Sequence, residues 1–341
     1  MQLGLIFSGG GTSMAQMVSL SVEAEAAGLD CIYVTEAWRS AFVTLAAIAA
    51  ATKRVEIGSY ILNAYARSVW ITAMSAVDLD ELSQGRLVLG VGGGNKHINE
   101  QWQGIPHDKP LKKMTEYVPL LRKAVSTRLG EMLDYEGEMH RMHWAPTVAP
   151  FRSTIPIFLA ALYPKMIAVA GRVADGIAMG ALLSPAYIRE VVFPQFHNAA
   201  STAGRDPKLL RSSVSPFVSV GDDAAGARQA AREAICRLYS PLPHPYYDFI
   251  LREQGFSQAA DAAAKWVPLG KIEKAAEAFT DDIVDAITIS GTFEQCKRKL
   301  ADYDDVVDQL LFVNVNYSST SEDATLRAFQ NLIKLGTKKV A

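Results

Sequence analysis

The chain has 341 residues, 49% of them hydrophobic and 21% charged, with a formal net charge of −2. That composition excludes a disordered or fibrous chain, and a charge so near zero gives no electrostatic footprint for nucleic acid. No apolar run has the length of a bilayer span, and Met1–Phe7 lacks the basic start of a signal peptide, so no membrane partner is expected. Cys31, Cys236 and Cys296 are too scattered for a metal pair, which suits a reducing, cytoplasmic setting.

Leu3–Phe7 reads as a buried strand ending at Ser8-Gly9-Gly10-Gly11, and Met14–Ala27 as a helix closed by Gly28. Cys31–Val34 is a second strand ending at Thr35-Glu36, Phe42–Ala51 an alanine-rich helix, and Val55 into Leu62 a third strand. Leu79 and Leu82 share one face of a helix over Val69–Leu82, which Ser83-Gln84-Gly85 stops. Leu87–Val91 is apolar without alternation, the pattern of a strand covered on both faces. Gly92, Gly93 and Gly94 follow at once, where bare backbone can approach a ligand. Such regular alternation predicts a parallel sheet with helices outside.

His97–Pro110 then reads as a loop, Leu111–Val125 as a helix and Tyr135–Trp144 as a small hairpin. Strands at Ile157–Ala160 and Gly176–Met179 flank a helix at Lys165–Val173. Pro185–Ala203 is a long helix, Ser212–Val220 the seventh strand and Ala224–Leu238 a helix that cannot continue through Ser240-Pro241-Leu242-Pro243-His244-Pro245. Tyr246–Ala278 suggests short helices, and Ala286–Ile289 a weak extended piece. Thr292 and Gln295 offer a capping box for a helix over Phe293–Tyr303. Leu310–Val315 is the last strand and Asp323–Leu335 the last helix. Eight strong strands favour an α/β fold, a closed (β/α)8 TIM barrel, over an open doubly wound sheet. One domain over 1–341 is expected, with insertions near 97–150, after strand 4, and 240–285, after the seventh strand.

A barrel places function at the carboxyl ends of its strands. That rule selects Ser8, Thr35, Glu36, Leu62, Asn63, Gly92, Gly93, Gly94, Asn95, Ala160, Ala161, Leu162, Tyr163, Met179 and Gly180. His140 and His143 lie in the hairpin without a third ligand, so no metal site is expected, and no nucleophile triad or P-loop lysine is present. Bare amides and small side chains suit a flat, partly apolar ring with a phosphate tail. The amides near Ala161–Tyr163, ahead of a helix, suit an anion. Arg86, at the start of its strand, is expected to pair with a carboxylate such as Asp80 or Glu81, and Arg172 with Asp175 to fix the turn before Gly176.

Several linked motifs carry a resemblance. They are Thr44–Thr52 with Val55–Gly58, Tyr65-Ala66-Arg67, Leu79–Asn95 (LDELSQGRLVLGVGGGN), Glu100–Gly104, Ile155–Ala161 and Ala170–Gly176. In this order they resemble the luciferase-like flavin and deazaflavin oxidoreductases, a (β/α)8 superfamily. The Glu36-Ala37-Trp38 turn, Asn99–Gly104 and Tyr246–Pro268 resemble its coenzyme F420 branch, often labelled methylenetetrahydromethanopterin reductase-like. The resemblance implies hydride transfer between reduced F420 and a small organic substrate carrying C=O, C=N or C=C. An FMN-dependent monooxygenase is the alternative, a non-catalytic flavin-binding protein a third reading, and a homodimer is expected. It further implies a cis peptide at Tyr60-Ile61 behind the ring, with Leu62 and Asn63 just after. The phosphate is expected near Ala161, Leu162, Tyr163, Met179 and Gly180, and the glycines and Asn95 beside the ring. Many relatives follow the strand-two acid with His, whereas Ala37 follows Glu36 here, and some deazaflavin dehydrogenases carry Glu where Asn95 stands. Glu36 is therefore the leading acid/base and ring partner, with His97 second and Tyr65 third. Trp38, Glu100 and Trp102 are the expected substrate wall.

Overall fold

The computed structural model describes residues 1–8, 11–240, 244–316 and 321–337. Gly9-Gly10, part of the expected end of the first strand, and Pro241-Leu242-Pro243, part of the segment expected not to be helical, lie outside the described residues. The barrel strands are β1 (Gln2–Phe7), β2 (Cys31–Val34), β3 (Glu56–Ser59, resumed at Leu62–Asn63) and β4 (Leu87–Gly92). They continue as β5 (Ile157–Ala160), β6 (Gly176–Met179), β7 (Arg211–Val214, resumed at Phe217–Val220) and β8 (Gln309–Asn314). Neighbours pair in parallel, and β8 returns to β1 in a register running from Gln2↔Gln309 to Ile6↔Val313. The eight strands therefore close, as expected. β4 and β8 are buried at every position, because barrel interior covers one face and helices the other.

Two strands are broken, β3 at the cis peptide that the resemblance implied and β7 within a stretch expected to be continuous. β3 stops at the Tyr60–Ile61 peptide, which is cis. β7 stops at Ser215-Pro216, where proline has no N–H to give the ladder. Its second half leans outward to pair with Thr288–Gly291, in register from Phe217↔Thr288 to Val220↔Gly291, while still touching β8. That ninth strand lies two residues later than expected because Asp281–Ile287 is helical, capped by Thr280.

Helix starts follow local chemistry. Ser13 and Gln16 form a capping box for Met14–Ala26, and Thr292 and Gln295 form the expected one for Phe293–Lys299. The long helix from Pro185 contains a π turn, Ile188–Val192, immediately before Pro194, which cannot donate back along the helix. The expected loop after β4 holds another π turn, Ile98–Trp102. The hairpin forms from Leu133–Glu136 and Arg141–Trp144, with the Glu116 carboxylate accepting from the amides of Glu138, Met139 and His140 in its turn. After β7 come the expected short helices, Pro245–Glu253, Ser257–Trp266 and Ile272–Ala276.

Two scaffold expectations need correction. Among the described residues Arg86 takes no carboxylate; its guanidinium donates to the carbonyls of Ala49, Thr52, Val55 and Ser83 and to the Thr52 hydroxyl. It thus satisfies two carbonyls at the end of the helix Ala41–Ala51, those of Ala49 and of the cap Thr52. Asp80 is bound instead by Arg152. Asp175 does fix its turn, accepting from the Ile157 amide and from Arg122, but Arg172 is exposed.

Candidate active site at the barrel mouth

The end of β4 is built so tightly that side chains are excluded. A Cβ on Gly90 would lie 2.1 Å from the Ser59 oxygen, and one on Gly92 3.0 Å from both Ala160 and Ile61. Gly94 has φ +66°, and a Cβ there would sit 2.7 Å from the Asn63 amide nitrogen. Main chain, therefore, forms this wall of the mouth.

Three expected cofactor residues have buried side chains. Leu62 and Met179 are fully buried, because alternate side chains of a barrel strand point inward. The Tyr60 hydroxyl donates to the Met179 carbonyl at 2.7 Å, and its ring meets Tyr33 edge-on inside the barrel. Burial pushes that phenol well above its usual pKa.

Asn63, by contrast, heads a polar relay. The Tyr65 amide donates to Asn63 Oδ1 at 3.0 Å, and Asn63 Nδ2 donates to Asn99 Oδ1. Asn99 Nδ2 then reaches both the Gly93 carbonyl and His107 Nδ1, each at 2.8 Å. Tyr65 stacks on the His107 ring, with centroids 4.6 Å apart, and its hydroxyl donates to the Asp108 carbonyl. Partial burial holds His107 below the usual imidazole pKa. Tyr65 is pushed up to about 12 by desolvation and by nearby Asp108, which unsuits it to proton transfer near neutrality.

Glu36 is not a free acid. Arg67 grips it with Nε at 2.8 and 3.0 Å and Nη2 at 2.7 Å, over the Phe42 ring. The pair is largely buried, and donating hydrogen bonds to Glu36 raises the Arg67 pKa. His97 is exposed, and only its backbone is engaged, through Asn95 Oδ1. Trp38 and Trp102 lean on each other at 5.1 Å while 63% and 52% exposed, and Glu100 accepts weakly from the His107 amide at 3.4 Å.

Across the mouth, the helix Pro164–Val173 begins with proline at its first position. Among the described residues the amides of Leu162, Tyr163 and Lys165 have no protein partner, whereas Ala161 donates to Ala178. The helix Pro245–Glu253 covers this side. Tyr246 donates to the Gly94 carbonyl at 2.9 Å, Tyr163 meets Tyr246 and Phe249, and Tyr247 packs against Gly180. Gln254 ties this helix to Leu182, which has φ +71°, and to Ser184. Nδ1 of His244 is buried with no partner among the described residues, and burial brings this ring down to about 4. Ser8 is half-buried at the end of β1.

The structure thus joins Asn63, Gly92–Gly94, Ala160–Tyr163 and Gly180, and leaves His97 apart. Sequence reading did not single out Arg67, Asn99, His107, His244, Tyr246 or Tyr247, although Arg67, Asn99, Tyr246 and Tyr247 lie in stretches that carry the resemblance. The Asn99 amide donates to the Asn95 carbonyl, an α-type bond leading into the π turn that any residues at this spacing can make, so the sequence carried no signal of it.

A family model described as luciferase-like monooxygenase matches residues 3–309. The chain is similar to 5,10-methylenetetrahydromethanopterin reductase of Methanolobus tindarius, at 30% identity over 83% of this chain and 85% of that protein. It is also similar to a putative coenzyme F420-dependent oxidoreductase of Mycobacterium tuberculosis, at 27% identity over 88% of this chain and 91% of that one. Among solved structures, the F420-dependent tetrahydromethanopterin reductase of Methanopyrus kandleri shares the fold with a TM-score of 0.81 at 22% identity, covering 99% of each chain.

Proposed function

The chain belongs to the luciferase-like monooxygenase family, and on that footing we propose that it transfers a hydride between reduced coenzyme F420 and a small organic substrate bearing C=O, C=N or C=C. The observation that carries the reading is the mouth. Bare backbone at Gly92–Gly94 is bridged by Tyr246 to the Tyr163 side, where three amides at a helix start lack partners among the described residues. A flat ring fits against the first and a phosphate against the second. The name of the Mycobacterium tuberculosis relative, a putative coenzyme F420-dependent oxidoreductase, favours the deazaflavin over FMN.

When bound, the deazaflavin supplies the hydride. The protein's own groups orient and enclose it. Glu36, held by Arg67, is fixed as a hydrogen-bond acceptor for a ring N–H rather than a mobile acid. The amides of Leu162, Tyr163 and Lys165 hold the phosphate, and Trp38 and Trp102 form the apolar substrate wall. Fluorescence quenching of the purified protein by F420 and by FMN tests the reading. Micromolar or tighter F420 binding is expected, and binding of FMN with none of the deazaflavin would overturn it. Glu36→Gln should weaken cofactor binding and turnover together if the carboxylate serves as a ring acceptor.

A further inference from the structure

The two amides of the relay are oriented at both ends by groups of fixed polarity. The Tyr65 N–H can only donate, so it faces Asn63 Oδ1 and turns Asn63 Nδ2 toward Asn99. The Gly93 carbonyl can only accept, so it faces Asn99 Nδ2. That same Nδ2 lies 2.8 Å from His107 Nδ1, and an amide NH2 accepts no hydrogen bond. Nδ1 must therefore be bare, and the neutral ring carries its proton on Nε2. Nε2 has no hydrogen-bond partner among the described residues, and its ring neighbour Cε1 lies 3.6 Å from where a Gly93 Cβ would stand. The ring thus meets the glycine wall through Cε1, the carbon next to the free N–H.

We propose that His107 is a catalytic hydrogen-bond donor, fixed by the Asn63–Asn99 relay as the neutral Nε2–H tautomer and directed at the substrate atom that gains negative charge. The proposal rests on the hydride-transfer reading above. For a carbonyl substrate, the hydride forms the new C–H bond while the C=O π pair moves onto oxygen. The reduced deazaflavin loses the hydride and is oxidised by two electrons. Nε2–H stabilises the developing oxyanion, and the oxygen takes its proton from solvent. His107 keeps its own proton, since a neutral imidazole that released it would become an imidazolate. A preorganised donor of this kind lowers the barrier without reorganising during the reaction, and neutral histidine electrophiles act this way in other barrels.

Two measurements test the proposal. Long-range 15N–1H correlation spectra of histidine-labelled protein, without cofactor at neutral pH, should show His107 protonated on Nε2 and bare at Nδ1. Asn99→Asp replaces the donor by an acceptor and should move the proton to Nδ1. An Nδ1–H tautomer or an imidazolium in the wild type would overturn the proposal. Turnover is then compared using whichever of F420 or FMN supports wild-type activity, which separates failure of the cofactor reading from failure of this one. His107→Phe keeps the stack on Tyr65 and removes the donor. It should lower kcat by about 100-fold while cofactor affinity changes less than about twofold. Wild-type kcat in His107→Phe would refute the role.

Discussion

The two ends of the barrel use polar groups in opposite ways. At the amino-terminal end, Glu56 accepts from the Tyr33 hydroxyl, from Gln309 and from Arg211, and Gln2 accepts from Gln309 and Arg211. Arg211 also covers the Phe158 ring. Donors and acceptors there satisfy one another, and burial beside Glu56 raises the Tyr33 pKa far above its usual value. At the carboxyl-terminal mouth, main chain replaces side chain, three amides lack partners, and His107 Nε2 and His244 Nδ1 are unmet among the described residues. A closed network stabilises and is chemically silent; unmet groups cost stability and are available to a ligand.

The contrast breaks most severely at its closed end. Glu56→Ala leaves Arg211, Gln309 and Tyr33 without their shared acceptor and should cost about 3 kcal/mol. Urea unfolding measures this loss, and cofactor affinity of the molecules that remain folded should be unchanged. Nearly as large is an acid effect centred on the mouth. His244 is held neutral down to about 4 in the folded chain against 6.5 when free, so the unfolded chain binds the extra proton across that window. Stability is complete above 6.5 and falls as pH drops toward 4, by about 3 kcal/mol. His107, His140 and His197, also lowered by burial, contribute with the same sign. Denaturant midpoints measured from pH 7 to 4 should show a slope that flattens in His244→Phe.

Smaller effects sharpen the functional half of the comparison. Gly94→Ala places a side chain at φ +66° against the Asn63 amide and should cost about 1–2 kcal/mol. Its effect on turnover should exceed that on stability, because the relay is displaced with the loop. Trp102→Ala, at an exposed position, should change stability by less than about 0.5 kcal/mol. It should raise KM with little change in kcat, as expected of a group that binds ground and transition states alike.

The barrel was legible in the chain because its strands are apolar runs that end in glycine or small residues. Leu87–Val91 followed by Gly92–Gly94 shows both features in eight residues. The breaks were harder to read. Pro216 marks the one in β7, but where the freed half pairs depends on Thr288–Gly291, far along the chain. The glycine wall and the Ala161–Tyr163 corner were readable from position at strand ends. The pairing of Glu36 with Arg67 was not, since those residues follow different strands and meet only once the two strands pair. The same holds for His107, whose place is set by Asn99 on a π turn, and for Tyr246, brought to Gly94 by a helix from the other side of the barrel. Long-range side-chain meetings carry no period in sequence.

The most direct test is anaerobic oxidation of reduced F420 by the purified protein with a panel of ketones, imines and activated alkenes. Hydride transfer at the mouth predicts substrate-dependent oxidation without oxygen, one reduced substrate forming per deazaflavin consumed. Turnover that requires FMN and oxygen, with none from reduced F420 under nitrogen, would contradict it.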